Sequence, residues 1–306
     1  MPQVFPSLIS AGQGSFDHLA IGFFDGLHRG HRAVICGNRS PQQLAQVCVF
    51  TFEPHPIAVL NPAGKPPLIT GLPHKLKILE KWQIESVLTF PFDLGRSLQD
   101  PLDFLDELTK ALPQIRSISV GTRWRFGHQR RGDVDMLSSF CRALGIEVQI
   151  NKPVLCQNEI ISSSRLRLMI QSGNLVEASD ILGRPFQLFG KVVRGRQLGR
   201  SLGVPTANLQ TEDDCLPPSG VYAGYAILES GKRHLSAINM GHRPTIDNIA
   251  PPQIEAHLLD FSADLYGQNL FLEPTHFLRS EEKFASLDAL KSAIERDIAS
   301  TRSLLT

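Results

Sequence analysis

His28 and His31 stand three positions apart in Ile21-Gly22-Phe23-Phe24-Asp25-Gly26-Leu27-His28-Arg29-Gly30-His31. The apolar run before them reads as a short strand over residues 19–24. Asp25-Gly26 reads as a tight turn, and the residues after it as a helix start. Gly22, Gly26 and Gly30 let a backbone come close to a ligand, and Phe24 and Asp25 lie in the same turn. A helix N-terminus offers free N–H groups and partial positive charge to a phosphate. Two imidazoles on such a turn can both face one phosphate chain. An Asp-Gly turn with two polar surface histidines is the plainer description. The position between strand and helix favours the phosphate site. A second cluster, Ile161-Ser162-Ser163-Ser164-Arg165-Leu166-Arg167, puts three hydroxyls and Arg165 at another helix start. Together these make a phosphate clamp, although one serine alone would serve as an N-cap.

A different chemistry is possible farther along. Residues 190–208 are rich in glycine and base, with Gly195, Gly199 and Arg200 in a stretch that can wrap phosphates through backbone N–H groups. Thr206 and Asn208 sit two apart, so in an extended segment both face one way. Two neutral oxygens beside a phosphate pocket suit Mg²⁺, while Pro-Thr-Ala-Asn by itself reads as a polar turn. In Ile254-Glu255-Ala256-His257-Leu258, alternation turns Ile254, Ala256 and Leu258 toward a core and leaves Glu255 and His257 on the other side. By pattern alone that glutamate belongs to a solvated face.

The elements that must position these groups fall into two rhythms. Before residue 183, strand signals (46–52, 86–90, 115–120, 147–150) alternate with helical ones (74–82, 101–112, 132–144), which predicts a mostly parallel α/β sheet, Rossmann-like, with helices on both faces. Two short helices lie between residues 164 and 183. Asn174 caps the second, with Glu177 placed for a capping box, and Gly183-Arg184-Pro185 ends it. The domain boundary falls there, giving domains of residues 1–183 and 184–306. Beyond it come strand-like runs (189–193, 221–228, 234–239, 254–259, 270–277) with no helix between them, which predicts an antiparallel β-barrel. A terminal helix capped by Ser286 follows, with Leu287, Leu290, Ile294 and Ile298 in one stripe.

The 306 residues suffice for two domains, and the net charge of +1 argues against a nucleic-acid partner. Five cysteines with no C-x-x-C spacing argue against disulfides or structural zinc and for a reducing, cytoplasmic setting. No signal peptide and no membrane span is expected.

Residues 22–31, Thr51-Phe52-Glu53-Pro54-His55-Pro56, residues 121–127 with Arg125-Phe126-Gly127, and residues 161–167 resemble the adenylyltransferase half of the bacterial bifunctional riboflavin kinase/FAD synthetases. Residues 192–208, Gly220-Val221-Tyr222, residues 239–245, residues 255–267 and Phe277-Leu278-Arg279 resemble the kinase half of the same family, in order. The resemblance implies that His28, His31, Ser163 and Arg165 handle the ATP triphosphate. It also implies that Pro54, His55, Pro56, Arg123 and Arg279 lie by the flavin, that Thr206 and Asn208 hold Mg²⁺ and ATP phosphates, and that Glu255 is the general base. Riboflavin, FMN, FAD and ATP would be the partners.

The two chemistries need different residues. FMN attacks through a phosphate already ionised near neutral pH, so adenylyl transfer needs cations and dipoles rather than a base. Riboflavin attacks through an alcohol, for which a carboxylate can take the proton. Phe23, Arg123, Ser164 and Val204 depart from the family's usual residues. Arg123 adds charge on the expected flavin side. It keeps open an enzyme whose nucleotidyltransferase domain is impaired or altered in substrate. A non-catalytic carrier of flavin or nucleotide is a further alternative, but it would have no use for Glu255.

Overall fold

The computed structural model describes residues 1–195, 204–241 and 253–306. The chain divides into two compact units, residues 1–66 with 75–162, and residues 67–74 with 163–306.

In the first unit, β1 (Gln3–Phe5), β2 (His18–Ile21), β3 (Val47–Glu53), β4 (Ser86–Pro91), β5 (Ser117–Gly121) and β6 (Glu147–Asn151) form one sheet in the order β1-β4-β3-β2-β5-β6. Every pairing is parallel. Both faces are buried, so strand residues alternate between two cores. Leu19, Ile21, Cys48, Phe50, Leu88 and Phe90 pack on one side. Ala20, Val47, Val49 and Val87 pack on the other, with Ile78 and Leu79 of the helix Leu72–Lys81. The chain runs outward from β2 through β3 to β4, then crosses to β5 and β6. Open parallel sheets bind ligands at the carboxyl ends of strands beside such a reversal. Here those ends belong to β2 and β5, and the segments that leave them are residues 22–31 and 121–127. The strand expected over residues 19–24 stops at Ile21, because Phe24 takes φ 56°, outside the β region. The short β1 and the hairpin of β7 (Leu155–Cys156) and β8 (Glu159–Ile160) gave no sequence signal.

In the second unit, β9 (Leu188–Val193), β10 (Ala207–Thr211), β11 (Gly220–Leu228), β12 (Arg233–Gly241), β13 (Gln253–Leu258) and β14 (Asn269–Arg279) close an antiparallel barrel in the order β10-β13-β12-β11-β14-β9. Ile238, Ile254, Ala256, Leu270 and Leu272 are buried in it. The two helices before it are Ser163–Gln171 and Leu175–Leu182, and Gly183 ends the second with φ 71° in the left-handed region. Asn174 caps that helix as expected, accepting from the Glu177 N–H. The Glu177 carboxylate does not fold back to complete a capping box. The Asn174 N–H already donates to Met169, so the carboxylate accepts from the Asn174 side-chain amide through one oxygen, at 3.0 Å, and from Arg165 through the other.

The terminal helix Leu287–Leu305 is capped by Ser286. Its buried line is Ala293, Asp297 and Thr301, whereas Leu287 is exposed, which corrects the expected stripe. Asp297 can be inside because Arg279 holds both its oxygens, at 3.0 and 2.8 Å.

Residues 67–74 are stitched into this unit. Asp214 and Cys215 donate backbone N–H groups to the Leu68 carbonyl at 2.9 and 2.8 Å. The buried Asp213 carboxylate accepts from the Gly71 N–H at 2.7 Å, from His74 Nδ1 at 2.7 Å and from the Phe189 N–H at 2.9 Å. Ile69 and Thr70 are buried.

Candidate active sites

The turn after β2 is built from backbone that side chains rarely adopt. Phe24, Gly26 and Leu27 have φ of 56°, 84° and 42°. Each non-glycine residue held this way costs ~1–3 kcal/mol and persists only where its surroundings impose it. The imposition is packing, since the Phe24 and Leu27 side chains are buried in the sheet's core. The turn delivers His28 to the N-cap of the helix Arg29–Cys36, where Nδ1 accepts from the His31 N–H at 3.1 Å. That leaves Nε2 as the protonated nitrogen of the neutral ring. The two imidazoles stack with centroids 3.5 Å apart. A side chain at Gly30 would come within 3.2 Å of the His28 ring, and Ile161 lies against the same spot. The start of the serine cluster, Ile161-Ser162, is thus in this unit beside Gly30.

Pro54, His55 and Pro56 follow β3, the neighbour of β2. His55 caps the helix Pro56–Leu60 by accepting from the Ile57 N–H at 2.9 Å, and its ring stands 3.9 Å from that of Phe23. Arg123 follows β5 and is exposed, while Arg125 pairs with Asp133 at 2.9 Å. Ser163, Ser164 and Arg165 belong to the second unit, where Arg165 pairs with Glu177 at 2.5 Å. Glu177 as the partner of Arg165 escaped sequence reasoning, because its spacing from Asn174 already had an explanation.

In the barrel, antiparallel register does what sequence spacing could not. Asn208 stands opposite Glu255 on β13 and opposite Val193 on β9. Glu255 in turn stands opposite Asn239 on β12, Asn239 opposite Val221, and Val221 opposite Arg279. One rung of the ladder therefore carries Asn208, Glu255, Asn239 and Arg279. Thr206 precedes β10 on the side of Asn208, and its hydroxyl donates to Glu255 Oε2 at 3.3 Å. The other carboxylate oxygen accepts from the Gln253 amide. A side chain at Gly195 would collide with the Asn208 amide at 2.4 Å, so the glycine lets the backbone approach it. His257, one pleat along, is occupied, with Nδ1 donating to the Pro205 carbonyl at 2.8 Å. Asn239 was not foreseen, since its place opposite Glu255 exists only once the strands pair, whereas Gln253, two residues before Glu255 on the same strand, was within reach of the alternation and was passed over. Gly199 and Arg200 lie outside the described residues.

Beside Thr206 and Asn208 opens a cavity of about 380 Å³ walled by Leu258, Phe261, Leu265 and Tyr266. The side chains on its edge include the Thr206 hydroxyl, the Asn208 amide and the Asp264 carboxylate, and such oxygen ligands suit Mg²⁺ and not a soft metal. Among the described residues no cluster of three His, Cys, Asp or Glu side chains could hold a metal, and no helix is long and apolar enough to cross a membrane.

Residues 14–165 match the FAD synthetase family model, and residues 182–305 match the riboflavin kinase model. The Escherichia coli K12 protein described as a bifunctional riboflavin kinase/FMN adenylyltransferase is 35% identical, covering 93% of this chain and 91% of its own length. The Haemophilus influenzae protein of the same description is 33% identical over 93% and 92%. A crystal structure described as a macrolide-efflux protein from Streptococcus pneumoniae superposes with a TM-score of 0.79 at 26% identity, covering 98% of each chain.

Proposed function

The chain belongs to the family of bifunctional riboflavin kinase/FMN adenylyltransferases, and from that premise we infer that it phosphorylates riboflavin to FMN with ATP and then adenylylates FMN with a second ATP, giving FAD and pyrophosphate. The observation that carries this is the presence of both modules in one chain. An impaired first domain and a non-catalytic carrier are the less favoured readings. The functional division we propose follows Gly183, with adenylyl transfer in residues 1–183 and phosphorylation in 184–306.

In the kinase reaction the riboflavin 5′-oxygen bonds to the γ-phosphorus, ADP leaves, and Glu255 takes the hydroxyl proton. Thr206 and Asn208 would hold Mg²⁺, which when bound would neutralise phosphate charge. The cavity walled by Phe261, Leu265 and Tyr266 suits the purine. Glu255 is favoured over His257 because the Nδ1 of His257 is committed to Pro205. In the second reaction an FMN phosphate oxygen bonds to the α-phosphorus and pyrophosphate leaves. His28, His31 and the helix N-terminus stabilise the triphosphate charge. On the family likeness alone, Ser163 and Arg165 also handle ATP phosphates, and Pro54, His55, Pro56, Arg123 and Arg279 lie by the flavins. We place the enzyme in the cytoplasm, on the strength of five free cysteines, with no nucleic-acid partner.

The test is incubation with riboflavin, ATP and Mg²⁺ while FMN and FAD are followed separately by chromatography. Both should appear in that order. FMN without FAD would revive the impaired first domain, and bound flavin without turnover would revive the carrier.

A further inference from the structure

Lys75, on the helix Leu72–Lys81, is buried, and its ammonium sits beneath the turn that follows β2. Its Nζ donates to the Phe23 carbonyl at 2.8 Å and to the Thr51 hydroxyl at 3.1 Å. The Thr51 hydroxyl donates to the same carbonyl at 2.9 Å. Nζ also stands 4.5 Å from the centre of the Phe23 ring, which gives the charge an aromatic face. The charged groups facing it are the carboxylates of Asp25, in the turn, and Glu53, at the end of β3.

An ammonium is costly to bury, and a methionine would fill the same space. Burial outweighs the two carboxylates and lowers the lysine to about 8. What the charge supports is the entry to the strained stretch. Phe23 is the last residue before φ turns positive at Phe24, and its carbonyl is held by two donors at once. That grip fixes the direction in which the chain leaves the sheet toward His28.

We propose that Lys75 is a positioning residue for adenylyl transfer, pinning the Phe23 carbonyl together with Thr51 so that the strained turn Phe24–Leu27 presents His28 and the helix N-terminus to the triphosphate. The ring of Phe23 then shields the ammonium.

The inference rests on adenylyl transfer being the activity of the first unit, so wild-type FAD formation from supplied FMN is the first measurement. A wild type that makes no FAD overturns both readings. With the wild type active, Lys75→Met in the full chain should lower kcat for adenylyl transfer by ~10–10²-fold, the scale of a misplaced catalytic group. KM for FMN should move by no more than a few-fold and riboflavin phosphorylation should be unchanged. Lys75 is protonated below pH about 8 and loses its charge above it. Wild-type adenylyl transfer should therefore fall on an alkaline limb near that pH, and the limb should be absent from Lys75→Met. Thr51→Val removes the second donor without touching the charge. It should cost less than Lys75→Met and keep the limb. Wild-type kcat in Lys75→Met, or a retained limb, overturns the proposal. If Lys75→Met does not fold, a Thr51→Val enzyme with undiminished kcat overturns it, and one with lowered kcat and the limb intact supports it.

Discussion

The two proposed sites would meet the same ligand, the phosphates of ATP, with opposite constructions. In the α/β unit the site follows a contiguous stretch of chain forced through three residues of positive φ, with core packing of Phe24 and Leu27 as the restraint. In the barrel the backbone of the site is ordinary strand, and the site is a rung, Asn208 opposite Glu255 opposite Asn239. The first depends on local conformation and the second on register. A slip of one residue in β13 would send Glu255 into the core and bring Ala256 or Ile254 out. Groups that only need to offer N–H and charge can ride on a bent backbone. A base that must meet one hydroxyl benefits from a rigid ladder.

The largest expected effect separates the chemistries. Glu255→Gln should cut FMN formation by ~10²–10⁴-fold, the usual worth of a positioned base, while FAD formation from supplied FMN stays unchanged in the same preparation. His257→Ala should cost much less, and the reverse ranking in initial rates would move the base to the histidine. His28→Ala or His31→Ala should lower FAD formation by ~10²–10³-fold, as when one preorganised stabiliser is removed, and leave FMN formation near normal. Loss of both activities in a folded variant would abolish the separation of sites on which the comparison rests. Thr206→Ala and Asn208→Ala should raise the Mg²⁺ needed for half-maximal kinase rate about tenfold, the equivalent of ~1.4 kcal/mol. An unchanged metal titration would remove the metal from Thr206 and Asn208 and leave them as polar residues at the start of β10. The smallest effect belongs to Arg123→Asp. Arg123 is exposed, and exposed charges are worth ~0–1 kcal/mol, so KM for FMN should shift no more than a few-fold. A large gain in adenylyl transfer would show a first site impaired by its own arginine.

Sequence legibility followed the same divide. The turn between strand and helix was readable because its glycines, Asp25 and both histidines are contiguous, and because strand and helix periods flank them. The barrel was readable as a class, since its strands are long and alternate. The strand β10 was missed. It is short, it follows a proline, and in Ala207-Asn208-Leu209-Gln210-Thr211 only two residues face the core. With it went the pairing of Asn208 with Glu255, and Asn239 comes opposite the carboxylate by pairing too, with no signature of its own. Arg279 and Glu177 show a related limit. Their partners, Asp297 and Arg165, are ordinary charged residues until packing selects them.

Residues 67–74 have a consequence for how the protein is made. The ribosome releases them long before Asp213, at ~5–20 residues per second. For roughly seven to thirty seconds, therefore, residues 67–74 are out while residues 213–215, which will hydrogen-bond to Leu68, Gly71 and His74, are still to be translated. Residues 67–74, which belong with the second unit, wait through that interval without Asp213, and a chaperone that binds short apolar segments has a defined place and interval in which to act. A gene cut at Gly183 makes the mismatch permanent on both sides. One product keeps an uncovered segment, and the other keeps an Asp213 carboxylate deprived of Gly71 and His74.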